Sequence, residues 1–164
     1  MKHTLSILVE NHAGVLSRVS GLFSRRAFNI ESLAVGVTDD PAVSRITIVV
    51  DGTDYTVEQI EKQLNKLIDV IKVRTIPAPQ LLERELALIK VFAADADTRK
   101  EIMNITDLCE AKIVDISPKT LTVQILGESG SIERFCAMLA PDQLCEIVRT
   151  GLVALEKGEN ALKL

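Results

Sequence analysis

The sequence predicts an α+β fold built from two ferredoxin-like (βαββαβ) domains, one in each half of the chain. Three observations predict it. The spacing of apolar residues switches between strand and helix periods several times. The order of those switches is the same in both halves, and a proline-marked stretch separates them. The chain has 164 residues, 47% of them apolar, which is ample for a packed core in each half.

In the first half, Leu5, Ile7 and Val9 alternate with Thr4, Ser6 and Leu8, a strand period. "VENHAG" at 9–14 interrupts the alternation. Val15, Leu16, Val19, Leu22 and Phe23 then recur at helical spacing. Ile30 to Val37 reads as a strand, the turn "TDDPAVS" follows, and Ile46, Ile48 and Val50 alternate with Thr47 and Val49. Thr56 with Gln59 reads as a capping box before Val57, Ile60, Leu64, Leu67 and Ile68, and Val70 to Ile76 closes the half with a β-branched strand.

"TIPAPQLLERE" at 75–85 marks the division. Pro77 and Pro79 cannot donate to a strand ladder, and Ala78 before the second proline is pushed toward extended geometry. The expected organisation is a domain over 1–76, a semi-rigid linker over 77–84 and a second domain over 85–164. In that second domain Leu86, Leu88, Lys90 and Phe92 open a strand, and Thr98 with Glu101 begins a helix carrying Ile102, Ile105 and Cys109. Strands over 112–116 and 121–126 meet at "SPK", a short helix runs from about Ser131 to Leu139, and Leu144 to Thr150 is the last strand. "VRT" recurs at 73–75 and 148–150, in keeping with a duplication. Right-handed crossovers place both helices of each half on one sheet face.

That topology leaves a second face on each sheet. Leu8 and Val49 point away from Leu5, Ile7, Ile46 and Ile48, and Leu88 and Phe92 point away from Ile89 and Val91. Both faces are apolar, so a homodimer that buries sheet faces or edges is expected. The net charge of −4 and five scattered aromatics (four Phe, one Tyr) give no footprint for nucleic acid. No apolar run reaches a membrane span and no signal peptide opens the chain, so a cytoplasmic protein without a membrane partner is expected. Cys109, Cys136 and Cys145 lack CxxC spacing and read as small apolar residues rather than a metal or redox set. Asp39, Asp40, Asp51 and Asp54 sit in turns, His12 reads as a solvated loop residue, and Arg18, Arg25 and Arg26 as a solvated helix face. No catalytic or metal-binding residue is expected.

"VENHAG" has a chemical reading. The first amides of the following helix lack intrahelical partners, and the helix dipole adds partial positive charge there. Gly14 lets a ligand approach that backbone, and Asn11 offers an acceptor and two donors beside it. The carboxylate of a free amino acid suits such a place. Asn and Gly are also ordinary residues for a strand-to-helix turn, and local chemistry leaves both readings open.

"ENHAGVLSRVSGLFSRRAFNIESLAV" at 10–35, "TDDPAVSRITIVVDG" and "EQIEKQLNKLIDVIKV" closely resemble the ACT domain of the small regulatory subunits of acetohydroxyacid synthase, also called acetolactate synthase. "RELALIKV", "AKIVDISPKTLTVQILG" and "EIVRTGLVALEKG" resemble the second domain of the same family, so nearly the whole chain is covered. The resemblance implies a non-catalytic homodimer that binds a catalytic large subunit, raises its activity and confers feedback inhibition by valine or another branched-chain amino acid. It implies no cofactor on this chain, with thiamine diphosphate, Mg and FAD on the catalytic partner. By the same resemblance Asn11, Ala13, Gly14, Val15 and Leu16 form one half of the effector site, and Asn29 and Ile30 come from the facing chain. Two departures stand out. Ala27 replaces a glycine common in the family, disfavouring positive φ there, and Cys109 with Glu110 replaces a phenylalanine-arginine pair. A free-standing amino-acid sensor would share this pocket. A small acylphosphatase-like enzyme would need an arginine-bearing phosphate loop, and "ENHAG" has none.

Overall fold

A computed structural model describes residues 1–164. The first repeat runs β1 (Lys2–Glu10), α1 (Val15–Arg25), β2 (Ile30–Val37), β3 (Val43–Asp51), α2 (Asp54–Leu64) and β4 (Val70–Ile76). A 3-10 turn over Ala78–Gln80 leads into the second: β5 (Leu81–Phe92), α3 (Ala96–Leu108), β6 (Lys112–Ile116), β7 (Thr120–Gly127), α4 (Ser129–Met138) and β8 (Leu144–Arg149). A short β9 (Val153–Glu156) follows. Each repeat is thus βαββαβ. The first sheet has strand order β2-β3-β1-β4, and the second β6-β7-β5-β8 with β9 pairing β5; the paired strands of both repeats run antiparallel.

Alternation explains which face is core. Leu5, Ile7, Val9, Ile46, Ile48 and Val50 point toward the helices and pack, fully buried, on Val19 and Phe23 of α1 and Ile60 and Leu64 of α2. Ala87, Ile89, Val91, Val123 and Ile125 do the same beneath Ile102 of α3 and Phe135 of α4. Removing the side chain of such a residue typically costs about 2 to 5 kcal/mol.

The expected helix starts lie one turn too late. Thr53, not Thr56, caps α2, its hydroxyl accepting from the Thr56 amide at 3.2 Å. Asp95, not Thr98, caps α3, its carboxylate accepting from the amides of Asp97 and Thr98 at 3.1 and 2.9 Å. In both cases the residue read as a cap is the third helical residue, whose amide is the one a side-chain cap satisfies. The turn Ala27 adopts φ 55°, the left-handed conformation its Cβ disfavours, and Glu110, just past α3, adopts φ 52°.

The chain groups into two compact units that differ from the expected division. One is Met1–Glu83 together with Leu152–Leu164; the other is Arg84–Gly151. The final segment returns to the first repeat instead of extending the second, and the expected linker is shortened because β5 already begins at Leu81. Ion pairing and hydrogen bonding explain the return. Arg74 meets Glu156 at 2.9 Å, the Arg45 guanidinium donates to the Ala154 carbonyl at 3.0 Å, and Lys72 donates to the Lys163 carbonyl at 2.9 Å.

This corrects part of the case for a homodimer. The outward row of the first sheet, Thr4, Ser6, Leu8, Thr47 and Val49, is already buried within one chain. Leu88 and Phe92 on the outward face of the second sheet remain exposed, as do Val35 and Val37 on the edge strand β2. The three cysteines are free and partly buried, and burial pushes the thiols of Cys136 and Cys145 up. No helix is long and apolar enough to cross a membrane.

Candidate functional site

The strand-to-helix junction is built from the end of β1 upward. Glu10 is the last paired residue of β1, and the Asn11 amide continues the contact by donating to the Ala42 carbonyl at 2.7 Å. The Asn11 carboxamide nitrogen donates to the Pro41 carbonyl at 2.8 Å. Asn11 therefore ties the junction to the β2–β3 turn, and its carboxamide oxygen and one remaining N–H are left for other partners. Gly14 then adopts φ 90° at the N-cap of α1. This is where the absence of a Cβ matters, because an L side chain in that conformation is strained.

No side chain caps α1, and its first turn holds no acidic residue. The opening of the helix therefore keeps its partial positive charge uncompensated by the chain. Ala13 and Gly14 are exposed, Leu16 presents an exposed isobutyl group, and Val15 is buried in the core, so Val15 can offer its backbone only. A concavity of about 410 Å³ lies beside Asn11, lined by Glu10, His12, Ala42, Val43 and Ile71.

Three residues around this junction carry a structure that sequence reading missed. The Arg18 guanidinium pairs with Asp69 at 2.5 Å and lies 3.5 Å from where a Cβ on Gly14 would stand. Asp69 is buried, and the imidazole of His12 reaches it at 3.2 Å and Glu10 at 3.1 Å. His12 is thus an ion-pair member rather than a freely solvated loop residue. A hydrogen bond to the Ala13 carbonyl and then the two carboxylates hold its pKa above the ordinary value, outweighing partial loss of water. Glu10, His12 and Asp69 could present ligand atoms to a metal ion, but Arg18 already meets the same Asp69 carboxylate, so the electrostatics are those of an ion-pair network. Arg18 was legible as a cation one turn beyond Gly14. Asp69 carried no such signal, since nothing in "LIDVI" marks its carboxylate as buried.

Asn29 and Ile30 lie elsewhere. Ile30 pairs with Val50, which pairs with His3 at the start of β1, whereas Asn11 and Gly14 follow Glu10 at the end of β1. From His3 to Glu10 is seven residue steps, about 23 Å at ~3.3 Å each. Within one chain, then, the fold brings Asn11, Ala13, Gly14, Val15 and Leu16 together and leaves Asn29 and Ile30 at the opposite end of the sheet. Asn29 is exposed, free to face another molecule.

The βαββαβ first repeat, with a glycine opening its uncapped first helix, is an ACT domain: a family profile described as an AHAS small subunit-like ACT domain matches residues 5–72. A second profile, for the small subunit of acetolactate synthase, matches residues 84–158. The chain belongs to the acetolactate synthase small-subunit family. It is 48% identical to the acetolactate synthase small subunit of Haemophilus influenzae, over 97% of this chain and 98% of that one. It is 45% identical to a probable acetolactate synthase small subunit of Methanothermobacter thermautotrophicus, over 98% and 95%. The crystal structure of the small subunit from Thermotoga maritima superposes with a TM-score of 0.91 at 40% identity, covering 98% of this chain and 99% of that one.

Proposed function

We propose that this chain is the non-catalytic regulatory subunit of an acetohydroxyacid synthase, activating a thiamine-diphosphate-dependent catalytic subunit and inhibiting it when a branched-chain amino acid, such as valine, binds. The observation that supports the effector half of this reading is the uncapped opening of α1, where Gly14 at φ 90° leaves a seat for a carboxylate at the first backbone amides, beside the Asp69-paired Arg18 guanidinium. Family membership carries the other half, the association with a catalytic chain.

In this reading the effector carboxylate sits on the first amides of α1, the Leu16 side chain meets the effector's alkyl group, and Asn29 and Ile30 of a second copy complete the site. The placement of Asn29 at the far end of the sheet supports a shared site, because one chain cannot close it. Burying a valine side chain contributes roughly 1.5 to 3 kcal/mol and each charge-assisted hydrogen bond about as much, which supports sub-millimolar affinity after ordering costs. Inhibition needs only a coupling of about 1 to 3 kcal/mol between effector binding and the state of the complex.

Two variants test this against a reconstituted complex. Gly14→Asp places a carboxylate in the seat, within reach of Arg18, and should abolish valine inhibition while activation persists. Asn29→Ala removes an exposed side chain, so it should leave stability unchanged and likewise abolish valine inhibition. Failure of the wild-type chain to associate with or activate the catalytic subunit would refute the reading; valine binding without association would point instead to a free-standing sensor.

A further inference from the structure

The outward face of the first sheet carries a second cavity, unrelated to the opening of α1. It measures about 590 Å³, a size typical of small-molecule sites, and is roofed by residues 155–164 of the returning segment. Its floor holds two unsatisfied groups. Ser6 is fully buried, and its hydroxyl has no hydrogen-bond partner; the Arg45 Nε–H is buried and likewise unpartnered. Register places them together. On this face Leu8 of β1 pairs with Arg45, and Ser6, two residues back, pairs with Arg74 across β4.

The two guanidiniums of this cavity are partnered unequally. The returning segment brings two side-chain carboxylates to the cavity, Glu156 and Glu159, and Glu156 pairs with Arg74. Arg45 obtains only the neutral Ala154 carbonyl and forms no ion pair. Burial without a compensating anion pulls the Arg45 pKa down. Asp39, Asp40, Glu159 and Lys163 also line the cavity, but they are exposed, so water screens them. Arg45 is half-buried, but its shielded Nε–H, like the buried Ser6 hydroxyl, is a donor that would ordinarily be hydrogen-bonded. Leu8, Ile76, Leu155 and Leu162 supply an apolar part of the wall beside polar residues.

We propose that this cavity is a binding site for a small organic carboxylate with an apolar body, its oxygens accepting from Arg45 Nε–H and from the Ser6 hydroxyl while its hydrocarbon lies along Leu8, Ile76 and Leu155. A planar carboxylate offers an acceptor to each orphaned donor and a counter-charge to Arg45, which has no ion-pair partner.

The test is a titration of the full chain followed by amide chemical shifts, with hexanoate, inorganic phosphate and hexylamine as probes. Hexanoate should give saturable shifts at Ser6, Arg45 and Leu155, and hexylamine none. Arg45→Met keeps the apolar stem and should weaken hexanoate about tenfold or more. Ser6→Ala should weaken it several-fold while raising the melting temperature of the unliganded chain, because it removes an unpartnered buried hydroxyl. Gly14→Asp should leave the hexanoate response intact, which separates this site from the proposed effector site. No saturable hexanoate shift, or shifts unchanged in both Arg45→Met and Ser6→Ala, would overturn the proposal. Phosphate acting on the same amides as strongly as hexanoate would overturn the apolar body assigned to the ligand.

Discussion

Ala27 shows how a single residue records a conflict between sequence and backbone. Its φ of 55° lies in the left-handed region, where a Cβ costs about 1 kcal/mol or more relative to glycine. The turn holds this geometry through hydrogen bonds from the Ala27 amide to the Ser24 carbonyl and from the Phe28 amide to the Phe23 carbonyl. Ala27→Gly should therefore raise stability by about 1 kcal/mol, seen as a higher denaturant midpoint with an unchanged slope. His12 offers a pH-dependent counterpart. Its folded-state pKa is raised, so its contribution is fully present below the unfolded value and is lost as pH rises through the folded one. An NMR titration should find the His12 midpoint above that of an unstructured peptide, and Asp69→Asn should move it back down. Gly14 and Asn11 were legible at this scale because a glycine and a side-chain amide between two periods have few roles. Asp69 was not, because burial of one carboxylate is decided by three elements distant in sequence.

Each strand and helix shows where periodicity suffices and where it does not. Strand alternation identified both cores, since moving a residue by one position exchanges buried and exposed faces. The helix starts were misplaced because two capping-type residues stand three apart, as Thr53 and Thr56 do, and the pattern fits either; the hydrogen bond to the Thr56 amide assigns the role to Thr53. Thr53→Ala should cost about 1 kcal/mol, and Gln59→Ala, which would break the alternative capping box, should cost little. Chemical denaturation of the two variants separates these outcomes. Asp95 acts similarly for α3. The amide and hydroxyl of Thr98 hold its carboxyl below the usual range, so its stabilisation is lost as pH falls through the folded-state value.

Across the whole molecule, the duplicated βαββαβ order was readable because it is written locally, element by element. The return of Leu152–Leu164 to the first repeat was not, because it depends on Arg45, Lys72 and Arg74 meeting partners 82 to 109 residues away. That return changes the meaning of the outward apolar row, which the chain covers itself. The case for assembly therefore moves to the second sheet, to the edge strand β2, and above all to the separation of Asn29 from Gly14 along one sheet. In the proposed function the receptor is split between the ends of a sheet and needs two copies to complete it, which would make dimerisation part of ligand recognition.

Complementation tests this most directly. Gly14→Asp chains and Asn29→Ala chains, each unable to bind valine alone, are refolded together and titrated with valine by calorimetry. Random pairing makes half the dimers mixed, and each mixed dimer joins one intact Gly14 to one intact Asn29, so about a quarter of the wild-type sites should return. No recovered binding in the mixture, or full binding by either variant alone, would contradict a site shared between two chains.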